Sequence, residues 1–391
     1  MDKIRKLIRG LIIESQNDRF EKRISANLPV PQDIWDLKSI FERNGKQLYV
    51  VGGAVRDFLG QKPIKDYDLA TDAKPQEIVW FLPESYQIIE AGNIFPVIHL
   101  VTPKGGRYEI ATFRADKGED HRKPETEFAT IEQDVERRDL TVNALFYDLS
   151  TKEIVDMVGG LDDLRNNRIR TVGDPTKRFQ ENQIRRLRAI RFAARMNGDL
   201  DDAIKLSLKS DSSLSEEAPE AILSEFIKGV AQAKSVVYYM EMVFEYGLDK
   251  WIFRDLKADE DYIIEEKNVS ILFASIIRGE NRDDLANYIK TRLKYPSEFA
   301  KKVHFFIALQ NLSLNNVLSL YDFKEKKVDV SSEEIKRAMR FMNYDRKMVD
   351  AFLRFTPIAK AADVMAQGFS KQEIGREMKR INVEHFLSLI K

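Results

Sequence analysis

The sequence predicts an α+β fold, with a small mixed-sheet domain followed by an all-α region. Between residues 47 and 148, short apolar runs of strand-like length alternate with helical pieces. After residue 200, apolar residues recur at helical spacing, while glycine and proline are sparse. The 391 residues exceed the size of one ordinary domain. We therefore expect four parts, which are a helical extension (1–45), the mixed-sheet domain (46–150), a basic neck (151–200) and an all-helical body and tail (201–391).

Composition and charge exclude several classes of protein. Lys+Arg and Asp+Glu both total 63, so any contact with nucleic acid must come from local clusters of charge. The chain contains no cysteine, which excludes disulfide frameworks and thiolate metal sites. No run approaches the ~20 apolar residues of a membrane-spanning helix. We expect a cytoplasmic protein with no membrane partner.

The N-terminal part is predicted to be helical on either side of a proline-containing break. Apolar residues recur at helical spacing over residues 4–11, and a second helix is predicted at 34–43. Acidic residues near the N-terminus argue against a transit peptide.

The mixed-sheet domain is predicted to contain six strands, at residues 47–51, 67–69, 87–89, 97–102, 108–113 and 145–148. Short helices are predicted at 54–59 and 76–81. Residues 114–136 are polar and weakly periodic, which predicts a mobile functional loop. In the neck, an amphipathic basic pattern that stops at Gly198 predicts one helix over 176–197.

Two aspartates, Asp66 and Asp68, occupy alternate positions of a predicted strand. Such residues point to the same face of a strand, so the two carboxylates lie side by side. This pair suits Mg²⁺, which proteins usually hold with one or two carboxylates and substrate phosphate oxygens. Glu109, on another predicted strand, is the candidate third acid of a two-metal site. The alternative is a pair of solvated acids on an edge strand.

Gly52, Gly53 and Arg56 precede the aspartates and are candidates for holding a triphosphate. Paired glycines let the backbone approach phosphate closely with its N–H groups, and the arginine adds positive charge. The alternative is a tight strand-to-helix turn in which Arg56 pairs with Asp57.

Arg138, Asp139 and Asn143 form a second candidate group, just before a predicted strand. Together they offer donors and acceptors to phosphate and ribose hydroxyls. The alternative is a solvated helix start that Asp139 caps.

The predicted basic helix carries a third group of candidates. Asn182 and Arg185 are three residues apart and would share a helix face, with Arg188 and Arg191 continuing near it. An amide beside a guanidinium can present a donor and an acceptor to the Watson–Crick edge of a base. The alternative is a basic helix that lies on RNA backbone or pairs with acids.

These segments occur in one order, GGAVRD with DYD, EIATFR, RRDLTVNA, GLDDLRNNRIRTVGDPTKRF and ENQIRRLRAIRFAAR. The ordered set resembles the class II tRNA nucleotidyltransferase and bacterial poly(A) polymerase family of DNA polymerase beta-like nucleotidyltransferases. The resemblance is close over residues 30–200 and weaker beyond. It implies a catalytic head followed by neck, body and tail domains, of which the helical ones hold RNA.

The resemblance also implies roles for the candidate residues. Asp66 and Asp68 would bind the catalytic metals, with Glu109 as the third acid. The glycine pair and Arg56 would hold the triphosphate, and the second group would bind ribose and phosphate. The helix near Glu181 would read the incoming base without a nucleic-acid template.

The chain departs from the family pattern in two places. Where the family has Glu-Asp-x-x-Arg, this sequence has asparagine at position 182. The Asn182 carbonyl can still accept a hydrogen bond from a base amino group, but its charge pairing with Arg185 is lost. We expect looser nucleotide choice than an Asn182→Asp variant would show. The loop from Arg114 to Pro124 is slightly short and lacks the aromatic residue that is common in the family. Because the resemblance associates this loop with the switch from C to A addition, addition of the terminal A stays open.

The implied function is template-independent addition of CCA to the 3′ end of tRNA, with CTP and ATP as substrates and Mg²⁺ as cofactor. One alternative is a poly(A) polymerase, and another is an enzyme that adds only CC or only A. The absence of a long basic tail and of an arginine-rich run at 95–102 favours the tRNA enzyme over the poly(A) polymerase. An alternative from a different class is a catalytically inert RNA-binding protein.

Overall fold

The computed structural model describes residues 12–14, 21–91, 97–117, 125–280, 284–341 and 345–391. The chain divides into two units, Met1–Ser213 and Leu214–Lys391. Among the described residues, no helix combines the length and the apolar character that crossing a bilayer requires.

The first unit is built on short strands and helices of the following bounds. In chain order they are β1 (Ile12–Glu14), β2 (Lys22–Ser25), α1 (Gln32–Arg43), β3 (Leu48–Val51), α2 (Gly53–Leu59), β4 (Asp68–Thr71), α3 (Pro75–Phe81), β5 (Gln87–Ala91), β6 (Val97–Val101), β7 (Arg107–Thr112), β8 (Arg114–Lys117), β9 (Glu125–Phe128), α4 (Ile131–Glu136), β10 (Leu145–Asp148), β11 (Glu153–Asp156), α5 (Gly160–Arg165), β12 (Arg168–Ile169), α6 (Pro175–Glu181), α7 (Arg185–Met196), β13 (Asp199–Leu200) and α8 (Asp202–Ser210).

A mixed sheet of nine strands forms the centre of this unit, in the order β1-β2-β11-β10-β3-β4-β7-β6-β5. Strand β4 pairs antiparallel with β3 and parallel with β7. Val50 packs in one hydrophobic cluster, while its neighbours Tyr49 and Val51 pack in a second one. Strand β3 is therefore buried on both faces, which is why it has a continuous apolar sequence.

The six predicted strands are all present, with ends that shift by a few residues. The two short helices are also confirmed, as α2 and α3, and the helix predicted at 34–43 is α1. These elements show clear apolar runs or amphipathic spacing between glycines and prolines, so local sequence defines them.

The prediction that residues 1–45 are helical is wrong at two segments, which are strands β1 and β2. Strand β2 pairs with β11 and buries Ile24 at 2% exposure, so the nine-stranded sheet determines its conformation. The helical pattern at residues 4–11 lies outside the described residues.

The loop predicted at 114–136 is also corrected. Strands β8 and β9 pair with each other, and α4 follows with a capping box at Thr130. Both strands are largely polar, so they lack the apolar pattern by which strands are predicted. They are stabilised by pairing with each other.

The helix predicted at 176–197 is two helices, α6 and α7. Asn182 leaves the helical conformation with φ −156° and ψ 107°, and its Oδ1 accepts a hydrogen bond from the Ile184 N–H at 3.1 Å. Asparagine favours such local turns over helix interiors. The break removes the shared helix face that was predicted for Asn182 and Arg185.

The described part of the second unit is helical, as predicted. Its α-helices are Pro219–Gln232, Val236–Glu245, Asp249–Ile252, Val269–Ile276, Leu285–Thr291, Ser297–Gln310, Val317–Lys327, Ser332–Phe341, Arg346–Arg354, Ala361–Ala366 and Lys371–Ile390. Buried aromatic rings form part of its core, with the Phe253 and Phe273 centroids 4.6 Å apart. Glu265 accepts hydrogen bonds from the Val236 and Val237 N–H groups, which fixes the start of one helix.

Candidate active site

The parallel pairing of β4 and β7 places Asp68 directly opposite Glu109. Paired residues on neighbouring strands point to the same face, so the two carboxylates share one face of the sheet. Asp66 lies just before β4, and all three acids are exposed. The pKa of Asp68 is raised because the cleft walls remove part of its solvent and because Glu109 and Asp66 add negative charge, while Arg138 opposes this. A bound cation would relieve this excess of negative charge.

These acids offer the oxygen ligands that a divalent cation takes. Hard cations take oxygen ligands, and Mg²⁺ is usually bound by one or two carboxylates together with phosphate oxygens and water. Within the part of the chain that the structure describes, no group of three or more His, Asp or Glu side chains is placed so that it could hold a metal ion by itself. Asp66, Asp68 and Glu109 would therefore hold the ion together with substrate oxygens.

An open cavity of about 550 Å³ lies beside Asp68 and Glu109. The predicted site residues that line it are Gly52, Gly53, Arg56, Asp68, Glu109, Arg138, Asp139, Asn143, Asn182, Arg185 and Arg188. Asp66 and Arg191 are not among the described residues that line it. The cavity is also lined by Arg137, Phe192 and Arg195, which were not predicted as site residues. Arg137 directly precedes Arg138, and the other two lie on α7 with Arg185 and Arg188.

Gly52 makes the turn from β3 into α2 possible. Its φ of 64° and ψ of −114° lie in a region that side chains disfavour strongly. Its N–H donates to the Leu145 carbonyl at 3.1 Å, so this group is tied to the β10 backbone and does not face phosphate as predicted. A side chain at Gly53 would reach Nη2 of Arg56 at 3.6 Å. The glycine pair therefore brings the backbone close to Arg56.

Arg56 is buried, with 6% of its surface exposed, and is held by several partners. Its Nη1 donates to Oδ1 of Asn143, and its Nε and Nη2 donate to Oδ1 of Asp57 at 3.1 and 3.0 Å. Nη2 of Arg195 donates to both oxygens of the same carboxylate, at 3.0 and 2.8 Å. Burial and the nearby Arg195 lower the pKa of Arg56, although Asp57 opposes this. Arg56 therefore both lines the cavity and pairs with Asp57.

Asp134 fixes the two arginines that follow α4. Its carboxylate, 1% exposed, accepts from Nη2 of Arg137 at 2.6 Å and from Nη2 of Arg138 at 3.0 Å. The Arg138 guanidinium also lies 4.5 Å from the centre of the Phe146 ring. One buried acid thus holds two cations at the cavity wall.

Asp139 joins the wall to helix α7. Its Oδ2 accepts from Nε and Nη2 of Arg188 at 2.7 and 2.5 Å, and its Oδ1 accepts from the Leu140 N–H and Nδ2 of Asn143 at 2.7 and 3.4 Å. Burial favours the protonated form of Asp139, but Arg188 and these hydrogen bonds hold its pKa below the usual value. The side chain is therefore an anion with acceptor capacity at the cavity.

The region predicted to read the base is held by Glu181. Its Oε2 accepts from Nη1 of Arg178 at 2.8 Å and from Nη1 of Arg185 at 2.6 Å. Asn182 is exposed beside them. Arg191, by contrast, is 5% exposed and packs 4.4 Å from the centre of the Phe192 ring, so its part in nucleotide binding stays a prediction.

Comparisons with known proteins identify relatives of this chain. A family model described as "Poly A polymerase head domain" matches residues 48–170. The chain is 30% identical over 318 residues to a CCA-adding enzyme of Lactococcus lactis subsp. lactis (strain IL1403), which covers 76% of this chain and 78% of that relative. It is 34% identical over 250 residues to Poly(A) polymerase I of Haemophilus influenzae, covering 59% and 54% of the two chains.

A similar fold is found in solved structures. The CCA-adding enzyme of Bacillus stearothermophilus in complex with CTP aligns with a TM-score of 0.63 and 22% identity, covering 92% of this chain and 96% of that one. The CCA-adding enzyme apo form II aligns with a TM-score of 0.68 at 20% identity, covering 91% and 92%. At these identities the likeness concerns the fold alone.

The strands that carry Asp68 and Glu109 lie within the segment that matches the head-domain model, which places the chain in the nucleotidyltransferase class. The chain belongs to the CCA-adding enzyme and poly(A) polymerase family, as its similarity to the Lactococcus relative shows. Nucleotidyltransferases of this family generally use divalent metal ions. The chain spans about half the length of several other curated relatives, 54% and 48% in two cases.

Proposed function

We propose that this protein adds CCA to the 3′ end of tRNA by nucleotidyl transfer from CTP and ATP. The observation that carries this proposal is the register that places Asp68 opposite Glu109, beside a cavity lined by arginines. Acids for metal and cations for a triphosphate are the two sets of groups that this chemistry needs. The relative named as a CCA-adding enzyme supports CCA addition, and fold neighbours described in complex with tRNA, CTP and ATP support the choice of these partners.

The reaction joins an RNA 3′-hydroxyl oxygen to the α-phosphorus of the nucleotide and releases pyrophosphate. Mg²⁺ bound at Asp66, Asp68 and Glu109 would lower the pKa of the attacking hydroxyl and neutralise charge on the phosphates. Arg56 and Arg138, fixed by Asp57 and Asp134, place positive charge where the triphosphate lies. Because these guanidiniums are already oriented, little reorganisation is needed on binding.

Ribose and base would be held by other residues that line the same cavity. Asp139 and Asn143 offer an acceptor and a donor to ribose hydroxyls, and Arg188 keeps Asp139 ionised. Asn182 and Arg185 line the part of the cavity next to α7 and would face the edge of the base. This arrangement recognises a nucleotide with protein groups and without a template strand.

The assignment of the acids is tested with Asp66→Ala and Asp68→Ala. We expect each variant to lose CMP incorporation into tRNA that lacks its 3′ CCA by at least about a hundredfold, since the metal ligands are lost. Asp36→Ala is the matched control, because Asp36 lies on α1 and pairs with Lys104 at the protein surface. Near-wild-type incorporation by Asp68→Ala would contradict the assignment.

The second candidate function is poly(A) addition, which the match to the Haemophilus Poly(A) polymerase I favours. It uses the same acids and differs in the added sequence, so the products distinguish the two. An inert RNA-binding protein would bind tRNA but incorporate no nucleotide with Mg²⁺. A cytoplasmic location stays a prediction.

A further inference from the structure

His99 on β6 continues the row of acids across the sheet. The strand register pairs Asp68 of β4 with Glu109 of β7, and it pairs Glu109 with His99. Directly paired residues point to the same face of a sheet, so the imidazole lies on the face of the two carboxylates. His99 is half-buried and is not among the described residues that line the cavity. The row therefore extends one strand beyond the cavity.

Arg107 lies on the same face of the sheet. It stands two residues before Glu109 on β7 and pairs with Val101 of β6. Alternate residues of a strand share a face, and the residues between, Tyr108 and Ile110, pack with the hydrophobic cluster on the other face. The Arg107 side chain is exposed. A cation and an imidazole thus lie beside Glu109, on β7 and β6.

Arg56 and Arg138, which are proposed to hold the triphosphate, lie on the other side of the acids. Arg56 belongs to α2, which follows β3, and the Arg138 guanidinium packs on the Phe146 ring of β10. In the sheet order β10 and β3 precede β4, whereas β6 follows β7. The acids therefore lie between these two arginines and β6.

This order determines the side from which the RNA approaches. In a displacement at phosphorus the attacking and leaving oxygens are in line. Because pyrophosphate leaves toward Arg56 and Arg138, the RNA 3′-hydroxyl enters opposite them, past Glu109. The last nucleotide of the RNA then lies over β7 and β6, where Arg107 and His99 stand.

We propose that Arg107 and His99 bind the terminal nucleotide of the RNA that is being extended, and not the incoming nucleotide. The Arg107 guanidinium pairs with the phosphate that precedes this terminal nucleotide, because it offers donors and a positive charge to phosphate oxygens. The His99 imidazole packs against the terminal base, as aromatic side chains do with unpaired RNA bases. Both contacts tolerate any base, so the site accepts RNA ends that finish in different nucleotides. The inference rests on the proposed nucleotidyl transfer.

The test measures kcat and the KM values for CTP and for tRNA that lacks CCA. We expect Arg107→Ala and His99→Ala each to raise the KM for tRNA about five- to tenfold, while the KM for CTP stays within about twofold of wild type. His99→Phe keeps a near-wild-type KM for tRNA because it retains a ring that can stack. Lys104→Ala is the matched control, since Lys104 lies in the turn between β6 and β7 and pairs with Asp36 at the surface.

The salt dependence of the KM for tRNA separates the two contacts. Each phosphate contact to a single strand contributes about 0.7 to the slope of log affinity against log salt concentration. We expect Arg107→Ala to reduce the slope of log KM by about this amount between about 50 and 200 mM KCl, and His99→Ala to leave it unchanged.

KM does not depend on the fraction of folded protein, so partial unfolding of a variant does not imitate the effect. Unchanged KM values for tRNA in Arg107→Ala and His99→Ala, with a wild type that incorporates CMP, would overturn this inference and leave the proposed function intact. An equal rise in the KM for CTP, or a rise in the KM for tRNA that Lys104→Ala shares, would overturn it in the same way. A wild type that incorporates no nucleotide overturns both.

Discussion

Asp139 is the residue that ties the cavity wall to helix α7. Its carboxylate binds the Arg188 guanidinium and accepts from the Leu140 N–H and the Asn143 amide. Burial disfavours its charge, yet Arg188 and the hydrogen bonds lower its pKa from 3.8. Because the folded state prefers the ionised form, this stabilisation is present above the unfolded pKa and is lost as pH falls through the folded one.

We therefore predict that Asp139→Asn lowers the free energy of unfolding by about 2 kcal/mol at pH 7. The difference in unfolding free energy between wild type and variant should shrink as pH falls below 3.8, the ordinary pKa of an aspartate, because the wild-type carboxylate then becomes protonated. Urea unfolding at several pH values measures it, with Asp202→Asn as a highly exposed control. A difference that stays constant through this range would show that the carboxylate charge is not what stabilises the contact.

The residue types of the site could be predicted from sequence because the chemistry restricts them. Asp68, Glu109 and Arg56 are residue types that can supply hard ligands for a metal and positive charge for a triphosphate, and the structure brings them to one cavity. Their partners could not be predicted in the same way. The pairing of Asp57 with Arg195 and of Asp139 with Arg188 depends on how distant elements pack, which spacing alone does not show.

Among the elements, the turn from β3 into α2 depends on one backbone conformation. Gly52 has a φ of 64° and a ψ of −114°, whereas Gly53 has no positive φ and a Cβ there would make only ordinary contacts. The two glycines are adjacent in sequence but differ in what they require. Only the first is needed for conformational freedom.

We predict that Gly52→Ala lowers the free energy of unfolding by about 1–3 kcal/mol, while Gly53→Ala changes it by less than about 1 kcal/mol. The reason is the strained backbone that a side chain would have to adopt at position 52. Urea unfolding of both variants measures the difference. Equal losses would mean that crowding near Arg56, and not the backbone conformation of Gly52, limits the substitution.

Elements that have a clear apolar pattern in their own sequence can be predicted, whereas strands that depend on pairing with a distant strand cannot. Strand β3 is a continuous apolar run before two glycines, and α1 has amphipathic spacing. Strand β2 is polar at three of its four positions and is a strand because β11 supplies its hydrogen bonds. The break at Asn182 arises from a side-chain hydrogen bond inside a pattern that is otherwise helical, so periodicity missed it.

The whole chain shares its fold with solved structures although the sequence identity to them is low. Solved structures at about 20% identity align over 91% of the chain. The similarity in sequence is concentrated in the mixed-sheet unit, where the matched family model covers residues 48–170. Chemistry fixes residues around the acids and the arginines, while a helical region needs only apolar spacing to keep its fold. The second unit therefore carries less sequence information about function.

CCA addition to tRNA is the activity that we propose for this chain. The most direct measurement is incubation with Mg²⁺ and a tRNA that ends before CCA, with CTP and ATP separately and together, followed by sequencing of the new 3′ ends. We expect C addition with CTP alone and 3′ ends that finish in CCA with both nucleotides. Long runs of A, or no incorporation by a protein that binds the tRNA, would contradict it.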